Sequence, residues 1–507
     1  MTIQEVVLER GALTLEEVER VARGGAKVAL GPTALACLAS SRATLEAALD
    51  AGEVLYGVNT GFGSLSQKRV RPPELREIQK NLLRSHASGV GEPLAPEIVR
   101  AMQLLLVASL CRGLSGVRPL LAERLVQLLN ANVVPIVPSV GSVGASGDLA
   151  PLAHAALILI GEGEAWYDGA RLDGRTVLSR LGLEPLELEA KEGLALINGT
   201  HLMAGIGALA LLDIERLFAA ALCAAAMSID ACRGTDAFLD DRVHAARGQS
   251  GQREVAERLR ALIAGSQIVP SHLHDDPRVQ DPYSLRCAPQ VLGAALDAIT
   301  FARGIVAREL GAVTDNPLVF DESSNTRRVV AAGNFHGMPL AMAFDLLLVA
   351  LAHVAGISER RVYYILAASD AENRLNPHLS PDPGLHSGLM ITQYVAAACC
   401  NELVGLATPA SVANIPTSAG MEDYNSFGAN SALKLRRAIE RTRQVVAIEL
   451  LCAAEALEYQ RPLRSGCGVE RAHAEVRSVV TKRVADRPPA PDIHAIETLI
   501  AHGRFSA

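Results

Sequence analysis

The tripeptide Ala145-Ser146-Gly147 is the part of the sequence whose residue types allow the most unusual chemistry. If the amide nitrogen of Gly147 attacks the carbonyl carbon of Ala145, a five-membered ring closes. Loss of one water completes the ring, and loss of a second water, from Ser146, leaves an exocyclic methylene. The product is a methylidene-imidazolone, an electrophile that no ordinary side chain supplies. Glycine suits the last position because it has no Cβ and tolerates strained dihedral angles.

Other interpretations of this glycine-rich stretch, residues 141–148, also have to be weighed. The stretch lacks the Gly-Lys-Ser/Thr ending of a phosphate-binding loop and the spacing of a dinucleotide fingerprint. It is not a hydrolase elbow, because Asp148 stands where the last glycine of Gly-x-Ser-x-Gly belongs. These residues alone do not exclude an ordinary glycine-rich loop without special chemistry, so the interpretation depends on the rest of the chain.

The composition indicates a large globular chain. Of 507 residues, 49% are apolar and 20% charged, and the net charge of −7 comes without a basic stripe, which argues against nucleic acid as a partner. Aromatic residues are only 4%, while alanine and leucine are abundant, which favours helices. The N-terminus lacks the features of a secretory signal and nine cysteines are scattered, so we expect reduced thiols and a cytoplasmic location. The apolar stretches are too short to predict a membrane partner.

The elements that must position this chemistry are mainly helical. Residues 51–75, with three glycines around Tyr56-Gly-Val-Asn-Thr-Gly-Phe-Gly63, predict a loop, and Tyr167-Asp-Gly169 predicts a turn between short extended pieces. Helical periodicity is clearest from residue 200 onward. The predicted fold class is therefore mainly α, with an N-terminal catalytic-loop domain (1–199) followed by a domain of long helices (200–507). The long helices are predicted at residues 200–233, 339–366 and 432–460.

Further polar clusters lie in loops or at helix ends, and each is weak when taken singly. Asn198-Gly-Thr is formally a glycosylation sequon, which a chain without a signal does not use. His272-x-His274-Asp-Asp276 looks superficially like a metal site, but it has no helical register or matching distant ligands, so we expect a loop and no bound metal. The clusters are Tyr56, Ser85-His86, Asn198-Gly-Thr-His201, Gln280-Asp-Pro-Tyr-Ser-Leu-Arg286, Gly333-Asn-Phe-His336 and Met421-Glu-Asp-Tyr-Asn-Ser426.

Together the clusters resemble the aromatic amino-acid ammonia-lyases that carry a methylidene-imidazolone. The resemblance runs from the Tyr56 loop to Ser426. Its most specific runs are Gly-Ala-Ser-Gly-Asp-Leu-Ala-Pro-Leu (144–152), Tyr-Ser-Leu-Arg-Cys-x-Pro-Gln (283–290) and Thr-Asp-Asn-Pro-Leu (314–318).

Within that family three features point to histidine as the substrate. Asn59 stands where the phenylalanine and tyrosine enzymes usually have Thr, Ser85-His86 replaces a Phe-Leu or His-Leu pair, and Glu422 replaces Gln. The chain also departs from the usual histidine-specific pattern. The departing residues are His201 and Ala288, each in place of Gln, and Tyr424-Asn425, in place of His-Val.

The resemblance implies elimination of ammonia from L-histidine to give trans-urocanate, with no external cofactor. Arg286 has a planar fork suited to the substrate carboxylate, and Asn198 and Gln280 are suited to hydrogen-bond the electrophile's ring oxygen or the substrate's polar groups. Tyr56 is the preferred base and Tyr283 the second candidate. The remaining predicted roles are pairing with the imidazole ring for His86 and Glu422, and packing beside the electrophile for Phe335. Attack by the amine or by the ring stays open.

Helices near 30 residues suggest a core extended by contacts between copies, and the resemblance implies a homotetramer with each site assembled from three chains. In that scheme Tyr56, the group from Asn198 to Tyr283, and Phe335 come from different subunits. The alternatives are a tyrosine or phenylalanine ammonia-lyase, an aminomutase of the same family, or a catalytically silent helical assembly protein. Retention of every expected catalytic residue argues against the last.

Overall fold

The computed structural model describes residues 5–274, 276–320 and 328–507. These residues are mainly helical, which confirms the predicted fold class. The α-helices are α1 Leu15–Ala22, α2 Pro32–Asp50, α3 Leu75–His86, α4 Pro96–Cys111, α5 Pro119–Asn130, α6 Leu149–Ala156, α7 Gly174–Arg180, α8 Glu192–Ile197, α9 His201–Ala231, α10 Asp241–Arg247, α11 Ser250–Ile263, α12 Tyr283–Arg286, α13 Ala288–Glu309, α14 Met338–Leu366, α15 Met390–Leu406, α16 Gly428–Gln460, α17 Cys467–Val479 and α18 Ala490–Ala501.

The strands are short and form small separate sheets. They are β1 Val6–Leu8, β2 Val28–Leu30, β3 Val90–Pro93, β4 Val134–Pro135, β5 Pro138–Val140, β6 Glu164–Tyr167, β7 Ala170–Asp173, β8 Leu318–Val319 and β9 Val329–Val330. β1 pairs with β2 in parallel, and the pairs β3–β5, β4–β6, β6–β7 and β8–β9 are antiparallel. The turn predicted at residues 167–169 joins β6 to β7. Asp168 and Gly169 both have positive φ there, as a two-residue hairpin turn requires.

The three long helices predicted from the sequence are all present, with bounds within four residues of those expected: α9, α14 and α16. α16 shows why the periodicity was informative. Its residues Leu435 and Val446 are fully buried, whereas Arg437 on another face is half exposed. α9 is mostly apolar and most of its residues are buried, whereas Asp213, Glu215 and Arg216 form a partly exposed charged patch.

The chain divides into two compact units built from discontinuous segments. The first unit comprises residues 1–209, 303–344 and 409–433, and the second comprises 210–302, 345–408 and 434–507. The division into domains 1–199 and 200–507 stays a prediction.

In the first unit a hydrophobic cluster fixes the base of the glycine-rich loop. Leu55 and Val58, on either side of Tyr56, are buried together with Leu45, Ala190 and Val319. The backbone hydrogen bond from Val70 N–H to the Asn59 carbonyl, at 3.0 Å, closes the loop. The backbone on both sides of Tyr56 is therefore held in place, although the loop is rich in glycine.

In the second unit a buried ion pair joins long helices. The carboxylate of Glu449 on α16 pairs with the Arg361 guanidinium of α14, and both side chains are fully buried. It also accepts hydrogen bonds from the hydroxyls of Ser228 (2.7 Å) and Ser358 (2.6 Å). The partners satisfy both carboxylate oxygens, as a buried charge requires.

By length and composition alone, two helices among the described residues are apolar enough to cross a membrane: α13 and α14. Buried core helices pass the same test, and two-thirds of the qualifying window of α14 is buried. The cytoplasmic location stays a prediction.

Candidate active site

The loop that carries Ala145, Ser146 and Gly147 is tethered on both sides. Before the tripeptide, the Val143 carbonyl accepts a hydrogen bond from Phe427 N–H at 2.8 Å, and the Gly144 carbonyl accepts one from the Ser426 hydroxyl at 2.9 Å. After it, Asp148 N–H donates to the Gly199 carbonyl at 2.7 Å. The tripeptide is thus held at both ends while Ala145 itself is buried.

Gly147 is a position that only glycine fits. Its φ of +75° lies in the left-handed region, and it pairs in parallel with Gly199. A Cβ on Gly147 would lie 2.1 Å from the Gly199 carbonyl oxygen. This oxygen belongs to the backbone, so it cannot move aside as the end of a flexible side chain could. Both the conformation and the close approach therefore exclude a side chain here.

Asp148 links the loop to the start of α9. Its carboxylate is fully buried and accepts hydrogen bonds from Leu202 N–H (2.9 Å), Met203 N–H (3.0 Å) and the Ser142 hydroxyl (2.8 Å). These N–H groups have no partner within the helix, so the carboxylate caps α9 from another part of the chain. Burial raises the pKa of Asp148 to about 7 in spite of these hydrogen bonds.

Two cavities meet at the tripeptide, and both belong to the first unit. One has a volume of about 510 Å³ and the other about 610 Å³. They share Tyr56, Gly63, Ser146, Asn198 and Glu422 in their walls. The structure therefore brings four of the predicted site residues to the junction that also exposes the Ser146 hydroxyl.

His86, the last residue of α3, lines the smaller cavity. Its Nδ1 lies 2.9 Å from the Leu82 carbonyl oxygen, which can only accept, so Nδ1 carries the hydrogen and Nε2 is left as an acceptor. Burial lowers the pKa of His86, outweighing the opposing effects of that hydrogen bond and of Glu422. The side chain offers the cavity a neutral ring with a free lone pair.

Tyr56 lines both cavities, and its phenol oxygen has one hydrogen-bond donor from its own loop. Gly63 N–H donates to Tyr56 Oη at 3.1 Å. The phenol hydrogen is not used in that bond, and the oxygen keeps a backbone donor in its ionised form too. Tyr56 is thereby held by the loop that carries it.

Glu422 contacts the tripeptide directly. The Ser146 hydroxyl donates to Glu422 Oε1 at 3.0 Å, and the Thr417 hydroxyl donates to Oε2 at 3.1 Å. Backbone hydrogen bonds in both directions between Thr417 and Glu422 close a turn. The carboxylate is therefore fixed by its own turn and faces the hydroxyl that cyclisation would remove.

Phe335 and the residues around it form the wall of the larger cavity. Next to Phe335, His336 donates from Nε2 to the Tyr424 carbonyl at 3.0 Å while its Nδ1 accepts from Met338 N–H at 3.4 Å. The rings of His336 and Tyr424 stack with centroids 6.3 Å apart. Phe335 thus lines a cavity together with Tyr56 within a single chain. The assignment of Tyr56, Asn198 and Phe335 to different subunits of an assembly stays a prediction.

The residues at the junction fit a methylidene-imidazolone formed from the tripeptide. Gly147 has a left-handed φ and carries no Cβ, and Ser146 lines both cavities. Asn198 Oδ1 is buried and has no hydrogen-bond partner among the described residues. Buried acceptors in proteins usually have a donor, so this oxygen is available to a donor from a ligand or from water.

His201, one of the departures, lies two residues after Gly199, which pairs with Gly147 of the tripeptide. It is buried, and its Nε2 lies 2.8 Å from where a Cβ on Gly199 would stand. Burial, with a smaller contribution from the Arg112 charge, lowers the pKa of His201 to about 3. The ring is therefore neutral throughout the physiological pH range. Of the other departures, Tyr424 lines the larger cavity, and Asn425 is buried with its amide bonded to the Ile415 carbonyl.

Gln280, Tyr283 and Arg286 belong to the second unit and do not line either of these cavities. Tyr283 is 67% exposed, and the Arg286 guanidinium lies over its ring, 4.8 Å from the centroid. Arg286 Nε is buried without a partner among the described residues.

His272 is the last residue of a short 3₁₀ helix, Val269–His272. His272 Nδ1 lies 3.0 Å from Asp276 Oδ2, and no group of three or more potential ligands for a metal occurs within the described ranges. Asp275 lies outside them.

Sequence analysis missed several residues in the cavity walls. Ser418 and Asn81 are polar residues of this kind. In the sequence, Ser418 was marked only by its position close to the cluster that begins at Met421, and Asn81 only by its position on a helix. Others are apolar side chains that shape the smaller cavity, which are indistinguishable from core residues in a sequence. They are Leu82, Leu149, Leu194 and Ile197.

The chain belongs to the aromatic amino acid lyase family, whose family model matches residues 13–478. A histidine ammonia-lyase from Anaeromyxobacter dehalogenans is 49% identical over 99% of both chains. The crystal structure of histidine ammonia-lyase from Trypanosoma cruzi matches with a TM-score of 0.91 and 38% identity, over 99% of this chain and 94% of that one. A tyrosine aminomutase from Streptomyces globisporus matches with a TM-score of 0.92 and 34% identity, over 99% and 98%.

Proposed function

We propose that this chain eliminates ammonia from L-histidine to give trans-urocanate. The observation that carries the proposal is the junction of two cavities where Ser146, Tyr56, Asn198 and Glu422 meet, with His86 in the same wall. The similarity to histidine ammonia-lyases along the whole chain supports it. When formed from Ala145-Ser146-Gly147, the methylidene-imidazolone supplies an electrophilic carbon that makes elimination from the bound amino acid easier.

In this reaction Tyr56 removes the proton from the β-carbon. The C–H bond breaks, its electron pair forms the new double bond to the α-carbon, and the amine leaves as ammonia with the electrons of the C–N bond. Tyr56 acts in its phenolate form: the proton passes to Oη and makes it a phenol, while the Gly63 N–H keeps donating to the same oxygen. The substrate amine starts as an ammonium group, so it leaves as neutral ammonia. The anchored loop keeps this oxygen at the cavity junction, where proton transfer needs it.

The polar groups of the substrate find matching partners. The ammonium group donates to Asn198 Oδ1, which has no other donor. Arg286 holds the carboxylate through its planar fork, and Gln280 hydrogen-bonds nearby. Tyr283 is the second candidate for the base.

The ring of the substrate is recognised by acceptors. His86 Nε2 and the Glu422 carboxylate are both acceptors. A neutral imidazole ring donates its single N–H to one of them, whereas an imidazolium donates to both; the phenylalanine ring has no donor and the tyrosine ring has only its O–H. An analogue without a matching donor leaves an acceptor in the cavity wall unpaired, which costs a site built for hydrogen bonding up to ~10⁴-fold in kcat/KM.

The direct test is incubation with L-histidine while the conjugated imidazole-acrylate absorbance is followed, with L-phenylalanine and L-tyrosine in parallel. Ser146→Ala should retain the fold and lose almost all turnover, and its intact mass should show that the two waters are not lost. Glu422→Gln should raise KM for histidine. Release of a β-amino acid instead of urocanate would assign the chain to the aminomutases, and equal kcat/KM for phenylalanine and histidine would reject the ring assignment.

We further propose a homotetramer in which Gln280, Tyr283 and Arg286 of one copy complete the cavities of another. Exposed apolar residues on the second unit support this, because an apolar helix face in water marks an interface. They include Leu346, Val349 and Tyr363 of α14 and Ile391, Tyr394 and Val404 of α15.

Mixing two inactive variants tests the shared site. Tyr56→Phe and Arg286→Gln change residues that the proposal places on different chains, so hybrids formed by subunit exchange should regain part of the activity. Tyr56→Phe mixed with Phe335→Ala is run in parallel: these residues line one cavity within a chain, so recovery in this mixture would show that Phe335 acts from another copy. A monomer by light scattering, or no recovery in the mixture of Tyr56→Phe and Arg286→Gln after verified exchange, would reject sharing.

A further inference from the structure

We propose that Ser418 is a positioning residue that fastens the Tyr56 loop to the Glu422 turn and so fixes Tyr56 Oη for proton removal. The inference rests on the proposed function for the role of Tyr56. Ser418 lies in the wall of the smaller cavity, 354 residues from the loop segment it contacts. Its hydroxyl is the place where these two segments meet.

The loop side of this contact consists of Gly63 and Ser64. Ser64 N–H donates to Ser418 Oγ at 3.2 Å. A Cβ on Gly63 would lie 2.4 Å from the same oxygen, so the hydroxyl sits directly against the Gly63 backbone. Gly63 N–H in turn holds Tyr56 Oη at 3.1 Å. The Ser418 hydroxyl therefore fixes the peptide group next to the one whose N–H holds the Tyr56 phenol.

The other side of the contact is the turn that holds Glu422. Thr417 N–H donates to the Glu422 carbonyl at 2.9 Å, and its hydroxyl donates to the carboxylate at 3.1 Å. Ser418 and Ala419 both have positive φ, at +51° and +52°, which is uncommon for residues other than glycine. Such a conformation persists where its surroundings hold it, and it often marks a functional site. The turn thus aims the Ser418 hydroxyl at the loop while it holds the Glu422 carboxylate at Ser146.

Loss of the hydroxyl should loosen only one edge of the loop. The opposite edge keeps the buried residues Leu55 and Val58 and the hydrogen bonds from Val70 to Asn59 (3.0 Å) and from Gly61 to Lys68 (2.8 Å). The loop would remain folded, but Tyr56 Oη would no longer have a fixed place. Proton removal should become slower, whereas the imidazole ring and the carboxylate of the substrate should still bind.

The experiment uses Ser418→Ala in the full chain. A misplacement of about 1 Å costs on the order of 10²-fold in rate, so kcat should fall roughly 10- to 100-fold while KM changes little. The kinetic isotope effect with histidine deuterated at the β-carbon should rise, because proton removal becomes slower than the other steps. Trypsin should cleave faster after Lys68 and Arg69, which are exposed in the same loop. Ser478→Ala, which removes an exposed hydroxyl on α17, is the control and should match the parent in every assay.

A double-mutant cycle isolates the contact. Gly63→Ala should be severe alone, because its Cβ meets Ser418 Oγ, and less severe in the Ser418→Ala background, where the next atom is 3.6 Å away. Parent-like kcat and cleavage in Ser418→Ala, or rate effects that simply multiply in the double variant, would overturn the proposal. Absence of urocanate from the parent protein would reject the proposed function, whereas the trypsin rates test the contact without any turnover.

Discussion

Replacing His201 with Gln should make the protein less sensitive to acid. His201 is 5% exposed and has a pKa of about 3 when folded, because burial and the Arg112 charge oppose protonation. In the unfolded chain the ring is expected to titrate near its ordinary pKa of about 6.5. Below pH 6.5 the ring binds a proton in the unfolded chain but not in the folded protein. His201 therefore lowers the free energy of unfolding as the pH falls from 6.5 towards 3. Glutamine carries no such penalty.

The magnitude follows from the two pKa values. At pH 5.5 the unfolded state gains about 1.4 kcal/mol from protonation of this ring, and at pH 8 almost nothing. The free energy of unfolding of the parent relative to His201→Gln should therefore fall by about 1.4 kcal/mol between pH 8 and pH 5.5, a tenfold change in the unfolding constant. Every other titrating group is common to both proteins and cancels.

The assay is urea unfolding followed by far-ultraviolet circular dichroism at both pH values, at one protein concentration so that any assembly contributes equally. The quantity compared is the change with pH of the difference between parent and variant, which is independent of any constant packing cost of glutamine. An unchanged difference between pH 8 and pH 5.5 would show that the ring is not buried in its neutral form and would refute the reasoning.

Two further predictions concern the tripeptide loop. Gly147→Ala should block cyclisation, because its Cβ would lie 2.1 Å from the Gly199 carbonyl; intact mass should retain both waters and activity should be lost, and a mass showing their loss would contradict this. Asp148→Asn should show a pH dependence opposite to that of His201: the folded pKa of about 7 is raised from the usual 3.9, so this carboxyl stabilises the fold in acid and ceases to do so as the pH rises through 7. Relative to the variant, the parent should lose about 2 kcal/mol between pH 5.5 and pH 8 in urea unfolding, and a parent that gained stability over this range would reject the assignment.

Much of the fold was accessible from the sequence because long helices repeat the same pattern many times. The bounds of α14 were predicted within one residue, since apolar runs, glycine and proline mark helix ends independently of distant contacts. The tripeptide was also predictable, because its chemistry is local to three residues. The structure adds that Gly147 needs glycine for a non-local reason, its approach to Gly199.

The parts that escaped sequence analysis depend on contacts between distant segments. The Ser418 hydroxyl meets the loop 354 residues away, and no local pattern distinguishes it from any other turn serine. The common cavity of Tyr56 and Phe335 escaped sequence analysis for the same reason, since sequence spacing does not reveal which cavity a side chain lines. The roles of Gln280, Tyr283 and Arg286 stay predictions because they concern the surface of the second unit.

The hairpin of β6 and β7 carries Trp166, the single tryptophan of the sequence, at 43% exposure. Tryptophan fluorescence therefore reports only on the surroundings of the small sheet that contains β6 and β7. A half-exposed indole already emits partly from water, so even complete loss of that sheet would change its spectrum modestly. Conversely, a tryptophan introduced beside Ser146 would be seen against a background from one known position, which makes this protein unusually well suited to optical measurement of what happens in its cavities.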